Sequence, residues 1–329
     1  MSILLTPAVI IHRHGGPEVL EFSEVEVLDP GPGELRIVQS AIGLNFADVY
    51  QRAGAAGPHN TSHFPVVLGS QGAGIVESIG PGVSGFVVGQ PVAYVHSGAY
   101  AGTRLVPAQR TLPLPDGLTL ETAAATLLRG MTAEYLLHRL FTVKPGDVIL
   151  VHAAAGGMGQ ILSAWGRALG ATVIGTVGSP AKRAIALAHG CHHVIDYRHE
   201  NFVARVNELT DNEGVAVVYD AVGRDVFLAS LDCLQVRGMA INFGTASGNV
   251  EAFDLQRLHA KSHSVCRPTL RSFIATPEDL RLSAGRFSEA VQRGEVKVGV
   301  DRRYALRDTA TAHAELESRQ TTGAAILVP

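Results

Sequence analysis

The sequence predicts an α/β protein in which a doubly wound parallel sheet is inserted in a β-rich domain. Three observations lead there. Residues 1–125 carry short apolar alternations separated by turn signals. From Asp147 onward, short apolar runs alternate with helical stretches, the pattern of βαβ units. Glycine makes up 36 of 329 residues, about 11% against a usual ~7%, which points to tight turns and close backbone approaches. Glycine has no three-residue period and proline stands at an ordinary 16, so collagen-like and low-complexity readings fail.

In chain order, Ala8–Ile11, Leu35–Gln39, Gly74–Ile79 and Gln90–Val95 read as strands, divided by Asp29-Pro-Gly-Pro-Gly33 and Gly80-Pro-Gly82. Nine glycines between Gly69 and Gly102 suit an antiparallel region with tight corners. The Ala- and Leu-rich stretch Leu120–Phe141 reads as one helix, stopped by Lys144-Pro-Gly146. Then come strand Asp147–His152, helix Gly157–Leu169, strand Ala171–Thr176 and helix Pro180–His189. Strands His193–Asp196, Val215–Tyr219 and Met239–Phe243 continue the series. Mixed structure after about Arg267 ends on strand Ala324–Val328. The expected division is 1–125 with 267–329 as one domain and 126–266 as the other.

Apolar residues at 46% and charged residues at 17% exclude a disordered chain. A net charge of −3 without basic blocks argues against nucleic acid as a partner. Cys191, Cys233 and Cys266 are too few for a disulfide framework or a four-cysteine zinc site. No leader pattern and no run near 18 apolar residues is present, so a cytoplasmic protein without membrane insertion is expected.

Asp147–His152 runs into Ala154-x-Gly156-x-x-Gly159 and then a helix. This is a dinucleotide fingerprint with alanine in first position: a tight turn, a bare backbone for pyrophosphate and a helix N-terminus facing the anion. The competing reading is that these glycines serve helix–strand packing alone. The second strand ends without the carboxylate that would hold ribose hydroxyls. Gly178 gives space there, and Lys182 and Arg183 supply positive charge, which favours the 2′-phosphate of NADPH. Either cation could equally be an ordinary solvated side chain.

The stretches Gly15-Gly-Pro-Glu-Val-Leu20, Gly43-Leu-Asn-Phe-Ala-Asp-Val-Tyr50, Val151-His-Ala-Ala-Ala-Gly-Gly-Met-Gly159, Tyr219-Asp-Ala-Val-Gly223 and Leu316-Glu-Ser-Arg319 together resemble the quinone oxidoreductase (zeta-crystallin-like) family of the medium-chain dehydrogenase/reductases. The resemblance implies a GroES-like catalytic domain, a Rossmann domain and a cofactor cleft between them. It puts Asn45 and Tyr50 beside the nicotinamide, with Asp48, Arg52 and Thr132 near it and Tyr135 meeting the cofactor. Gly156, Gly157 and Met158 would hold the pyrophosphate; Gly178, Lys182 and Tyr197 would enclose the 2′-phosphate. Phe243, Gly244 and Thr245 would line the nicotinamide ribose, and Arg319 would close over the cofactor. The family is commonly a homodimer joined through Rossmann strands, for which Gly238–Phe243 and the segment after it offer an edge.

Zinc-dependent relatives carry a cysteine near the Asn45 segment and Gly-His-Glu near Gly69. This chain has Asn45-Phe-Ala-Asp48 and Gly69-Ser-Gln71, so no metal is expected. The close pair His259/His263 lacks a third ligand at a recognised spacing. Conjugated acceptors are easier to reduce than simple carbonyls without a metal, because charge spreads over the ring or enone oxygen. The expected activity is NADPH-dependent reduction of a quinone or another conjugated small-molecule acceptor. Asn45, Tyr50, Arg52 and Thr132 are the candidates for placing it, with Tyr50 as a donor and Asp48 as either participant or orienting group. Alternatives are an alkene (enone) reductase on the same scaffold, or a nucleotide-binding structural or RNA-binding role.

Overall fold

The computed structural model describes residues 3–55, 63–318 and 321–329. Arg319 therefore lies outside the described residues. The chain divides into two compact units: Met1–Leu128 with Thr276–Gln292 and Val298–Pro329, and Arg129–Ala275 with Arg293–Lys297. The borders expected at 125/126 and 266/267 thus shift to Leu128/Arg129 and Ala275/Thr276. The first falls inside helix Leu120–Glu134, where no turn residue marks it. The second follows from Phe273, whose ring stacks on Tyr135 within the second unit.

In the first unit, among the described residues, strands run in the order Arg302–Ala305, Ala325–Val328, Glu34–Leu44, Gln71–Ile79, Pro91–Val95, Thr111–Pro113, with Thr103–Pro107 also paired to Glu34–Leu44. The long strand Glu34–Leu44 shows why. Leu35, Ile37 and Gln39 alternate inward, then Ala41–Leu44 are all buried, so one end has a wet face and the other has none. Inward-facing Gln39 is satisfied by the carbonyls of Ala99 and Ala101 and by the Tyr94 hydroxyl. Val9, Ile11, Leu35, Ile37, Val76, Val92 and Leu327 fill the core. A smaller sheet pairs Leu4–Ile11 with Glu21–Val27 and Val66–Val67.

The second unit is a parallel sheet ordered His193–Asp196, Thr172–Val177, Val148–Val151, Val215–Asp220, Leu234–Asn242, Ser264–Cys266. All six residues of Val215–Asp220 are buried, as expected for a strand covered on both faces. After Val148–Val151 the chain pairs Thr172–Val177 on one side and later returns to pair Val215–Asp220 on the other. The carboxyl ends of Val148–Val151 and Val215–Asp220 therefore flank a topological switch point, where open α/β sheets bind ligands.

Two expectations are corrected here. Leu120–Phe141 is not one regular helix: the α-helix ends at Glu134 and Tyr135–Leu140 is a π-helical turn. There the Leu136 carbonyl accepts from Phe141 N and from the Tyr219 hydroxyl. Nor is Gly238–Phe243 itself an edge, because Met239–Ile241 pairs with Ser264–Cys266; the strand after it forms the border of the sheet.

Candidate active site

Four predicted residues sit on or at the head of helix Phe46–Ala53. Asn45 is extended, so its carbonyl can start the helix, and the Asp48 carboxylate reaches back to accept its N–H at 2.8 Å. Gly54 ends the helix in the left-handed conformation. Gly43, in the strand before it, leaves no room for a side chain: a Cβ would lie 2.1 Å from the Ala124 carbonyl. The Asn45 carboxamide is 4% exposed, and neither its nitrogen nor its oxygen has a partner among the described residues. A buried amide in that state costs stability unless something else meets it.

Asp48 is fully buried and accepts from Asn45 N, the Ser70 hydroxyl and, at 3.0 Å, the Tyr100 hydroxyl. It acts on its neighbours, which fits the orienting reading. The Tyr50 ring lies 6.2 Å from that of Phe46, centroid to centroid, in a tilted pair. Arg52 is corrected. Its guanidinium donates to the Glu317 carboxylate at 2.8 and 2.9 Å, the Gly15 carbonyl and His313, so these donors serve an internal cluster. Gln71, at the other position where zinc-dependent relatives have a ligand, accepts the Leu128 N–H at 2.7 Å.

In the second unit, Thr132 is buried on its helix, and Tyr135 is 1% exposed. Tyr135 stacks on Phe273 with centroids 4.1 Å apart. This packing holds the ring in place within the second unit. Burial, with Cys266 adding to it, also pushes the Tyr135 hydroxyl well above its ordinary pKa.

The fingerprint turn leaves strand Val148–Val151 through Ala153, which takes a left-handed φ of 53°. Gly156 caps helix Gly157–Ala168 without a side-chain bond, which leaves the first helical N–H groups open for an anion, with Gly157 and Met158 in that first turn. Gly159 has the packing role: a Cβ there would meet the Ala153 carbonyl at 2.4 Å. Below the turn, His152 bridges Thr176 and Ser230 at 2.9 and 2.8 Å, and burial lowers its pKa to about 3.

At the end of the second strand, a Cβ on Gly178 would sit 2.5 Å from the Tyr197 hydroxyl and 3.6 Å from Arg198 Nε. Gly178 and Tyr197 thus converge, and Lys182 is half-buried in the first turn of helix Pro180–Ala188. Arg183 points elsewhere, to Glu200 at 2.8 Å. The third cluster is Phe243-Gly244-Thr245. Asp220 holds it by accepting from Val222 N, Gly223 N and the Asn242 amide, while Asn242 also donates to the Gly244 carbonyl. Burial raises the Asp220 carboxyl to about 6. A Cβ on Gly244 would meet the Ala221 carbonyl at 2.7 Å.

Sequence reasoning overlooked Ser70, Tyr100, His313, Glu317, Arg198, Asp220 and Asn242. Asp220 stood inside a quoted motif and was recoverable; Tyr100 and His313 are 213 residues apart, and no local pattern links them. Among the described residues no group of three or more His, Cys, Asp or Glu could hold a metal ion.

A glycine turn at the switch point of a parallel sheet, joined to an antiparallel unit with a buried, unpartnered amide, defines a nucleotide-dependent dehydrogenase/reductase architecture. The model of the alcohol dehydrogenase GroES-like domain matches residues 31–143, and that of the zinc-binding dehydrogenase matches residues 157–287. A quinone oxidoreductase of Pseudomonas aeruginosa is 44% identical over 96% of this chain and 97% of its own. A 2-haloacrylate reductase of a Burkholderia species is 42% identical over 98% of each. The crystal structure of Escherichia coli quinone oxidoreductase complexed with NADPH superposes with a TM-score of 0.93 at 41% identity, covering 98% of this chain and 100% of that one. The chain belongs to the quinone oxidoreductase family of the medium-chain dehydrogenase/reductases.

Proposed function

We propose that this chain is an NADPH-dependent quinone reductase that works without a metal. The observation that carries the reading is the unpartnered, buried Asn45 carboxamide at the head of its helix, in a chain 44% identical over nearly its whole length to a quinone oxidoreductase. The residues present fit NADPH. Gly157 and Met158 offer open N–H groups for pyrophosphate beside the bare backbone of Gly156, whose own N–H goes to the Ala153 carbonyl; Gly178, Lys182 and Tyr197 would form a small cationic recess for a 2′-phosphate, and Phe243, Gly244 and Thr245 a braced loop for the ribose. When bound, NADPH supplies the reducing equivalents from its nicotinamide. The chain's own part is placement. Asn45 has a donor and an acceptor to spend on the nicotinamide, and Tyr50 and Thr132 offer hydroxyls to a conjugated oxygen on which charge develops. Asp48 keeps Asn45 in position.

Zinc independence rests on Asn45, Ser70 and Gln71 standing where the zinc-dependent pattern has ligands. Among the described residues no helix is long and apolar enough to cross a membrane; a cytoplasmic location and a homodimer belong to the same proposal. The likeness to a 2-haloacrylate reductase favours one second reading, reduction of a conjugated alkene.

The test is steady-state turnover with NADPH, using a benzoquinone, a naphthoquinone and an α,β-unsaturated ketone in parallel. Faster turnover of the quinones, with NADPH preferred to NADH, is expected. Turnover of the enone alone would replace the proposal with the second reading, and turnover of none would remove it.

A further inference from the structure

Behind Asn45 runs a buried hydrogen-bonded chain, all of it within the first unit. The Asp48 carboxylate accepts the Tyr100 O–H at 3.0 Å; Tyr100 lies 2.9 Å from His313 Nε2; His313 Nδ1 lies 3.1 Å from Arg52 Nη1; and Arg52 donates in parallel to both oxygens of Glu317. Asp48, Tyr100 and His313 are each 0% exposed, and Arg52 is 1% exposed. Glu317 alone reaches water, with its side chain 34% exposed.

The polarity of this chain follows from elementary donor and acceptor rules. A guanidinium only donates, so His313 Nδ1 must accept and its ring proton must sit on Nε2. That Nε2–H then donates to the Tyr100 oxygen, whose own proton is thereby directed to Asp48. Every group is satisfied in one arrangement, with a neutral imidazole. Burial, reinforced by the Arg52 charge, lowers the His313 pKa to about 3. Burial and the Asp48 carboxylate keep the Tyr100 proton in place. The tyrosine and histidine rings also meet edge to face at 5.8 Å and 89°, so their relative orientation is fixed by packing as well.

We infer that His313 and Tyr100 are positioning residues for the reaction: through Asp48 they set the head of helix Phe46–Ala53, and with it the direction of the Asn45 carboxamide. Asp48 Oδ2 takes both the Asn45 N–H and the Tyr100 O–H, while Oδ1 takes the Ser70 hydroxyl, so the oxygen that caps the helix is also the one that Tyr100 holds. Without the tyrosine hydroxyl, Oδ2 keeps only the Asn45 N–H, and the capping oxygen loses the partner that holds it from the His313 side. His313 acts one step further back, by fixing which way Tyr100 donates. The inference deepens the quinone reductase reading and rests on it.

The experiment is a double-mutant cycle of Tyr100→Phe with Asn45→Ala, alongside His313→Gln and His313→Ala. Phenylalanine keeps the ring and removes only the hydroxyl; glutamine can still donate to Tyr100 and accept from Arg52. Tyr100→Phe and His313→Ala are expected to lower kcat on the order of 10–100-fold, with glutamine recovering most of it. NADPH titrated by fluorescence should bind more weakly to Tyr100→Phe, while 2′,5′-ADP, which has no nicotinamide, should bind with unchanged Kd. Combined with Asn45→Ala, Tyr100→Phe should add little further loss. In the protein without cofactor, nitrogen NMR should report a neutral His313 with its proton on Nε2, shifted in Tyr100→Phe. Wild-type kcat and NADPH affinity in Tyr100→Phe, or losses that multiply with those of Asn45→Ala, would overturn the inference. The reading beneath it stands or falls separately, on turnover by the unmutated enzyme. The cycle on NADPH affinity and the NMR signal keep their meaning whichever acceptor is reduced.

Discussion

At the scale of single residues, the proposed 2′-phosphate recess is made by omission and would be completed by charge. Gly178 withholds a side chain that Tyr197 would not admit, and Lys182 stands in the first turn of the next helix. Lys182→Ala is expected to weaken NADPH binding by about 10-fold or more, from loss of a charge-assisted bond. NADH binding and kcat should change little, so paired fluorescence titrations with NADPH and NADH check the outcome. Gly178 and Lys182 could be named from the sequence because the fingerprint tells where the second strand must end and what charge a 2′-phosphate there would need. Arg52 was legible as a member of its motif but not in its task, since its partner Glu317 lies 265 residues away. A motif names neighbours along the chain, whereas a buried cation is claimed by whatever carboxylate the tertiary fold delivers.

At the scale of elements, long periodic stretches announced themselves and short ones did not. The strands around Val148–Val151 and Thr172–Val177 were readable from apolar runs bounded by glycine turns. Ser264–Cys266 is three residues of mixed polarity, too short for any period, and is a strand because Met239–Ile241 has an open side. The π-helical turn at Tyr135–Leu140 is equally invisible, since its sequence is good α-helix and the change is imposed by tertiary partners such as Tyr219. The edge strand carries a prediction of its own. With Val265 36% exposed on the border of a parallel sheet, two copies joining edge to edge would meet there. Val265→Lys should halve the mass seen by light scattering while leaving cofactor affinity near wild type. A wild-type protein of monomer mass would remove the homodimer from the proposal.

At the scale of the whole molecule, three buried titratable groups contribute to how stability answers to pH. His152 and His313 have folded pKa values of about 3, against an ordinary 6.5. Between those limits the unfolded chain binds their protons and the folded chain does not, so their contribution is full above about pH 6.5 and is lost as pH falls. Asp220 works in the opposite sense. Its carboxyl titrates at about 6 when folded and at an ordinary 3.8 otherwise, so its contribution grows as pH falls through 6. Two protons against one leave a net loss of about 1.4 kcal/mol per pH unit between roughly pH 6 and 4 from these groups. Thermal scans at pH 7.5, 5.5 and 4.5 should show the decline, and His313→Gln should flatten it. An unchanged pH slope in that variant would contradict the assignment of His313 as a buried neutral imidazole.

The pairing of strand Ala325–Val328 with Glu34–Leu44 has a consequence in time. A ribosome delivers both Arg129–Ala275 and Arg293–Lys297 before it delivers that strand, so the second unit has its complete sequence while the sheet of the first still lacks a member. Until then the Ile42–Leu44 side of Glu34–Leu44 is an open, apolar edge of the kind that recruits foreign strands. The nascent chain is therefore most exposed to misassembly in the interval between finishing one unit and closing the other, and the strand that ends this interval is four residues long.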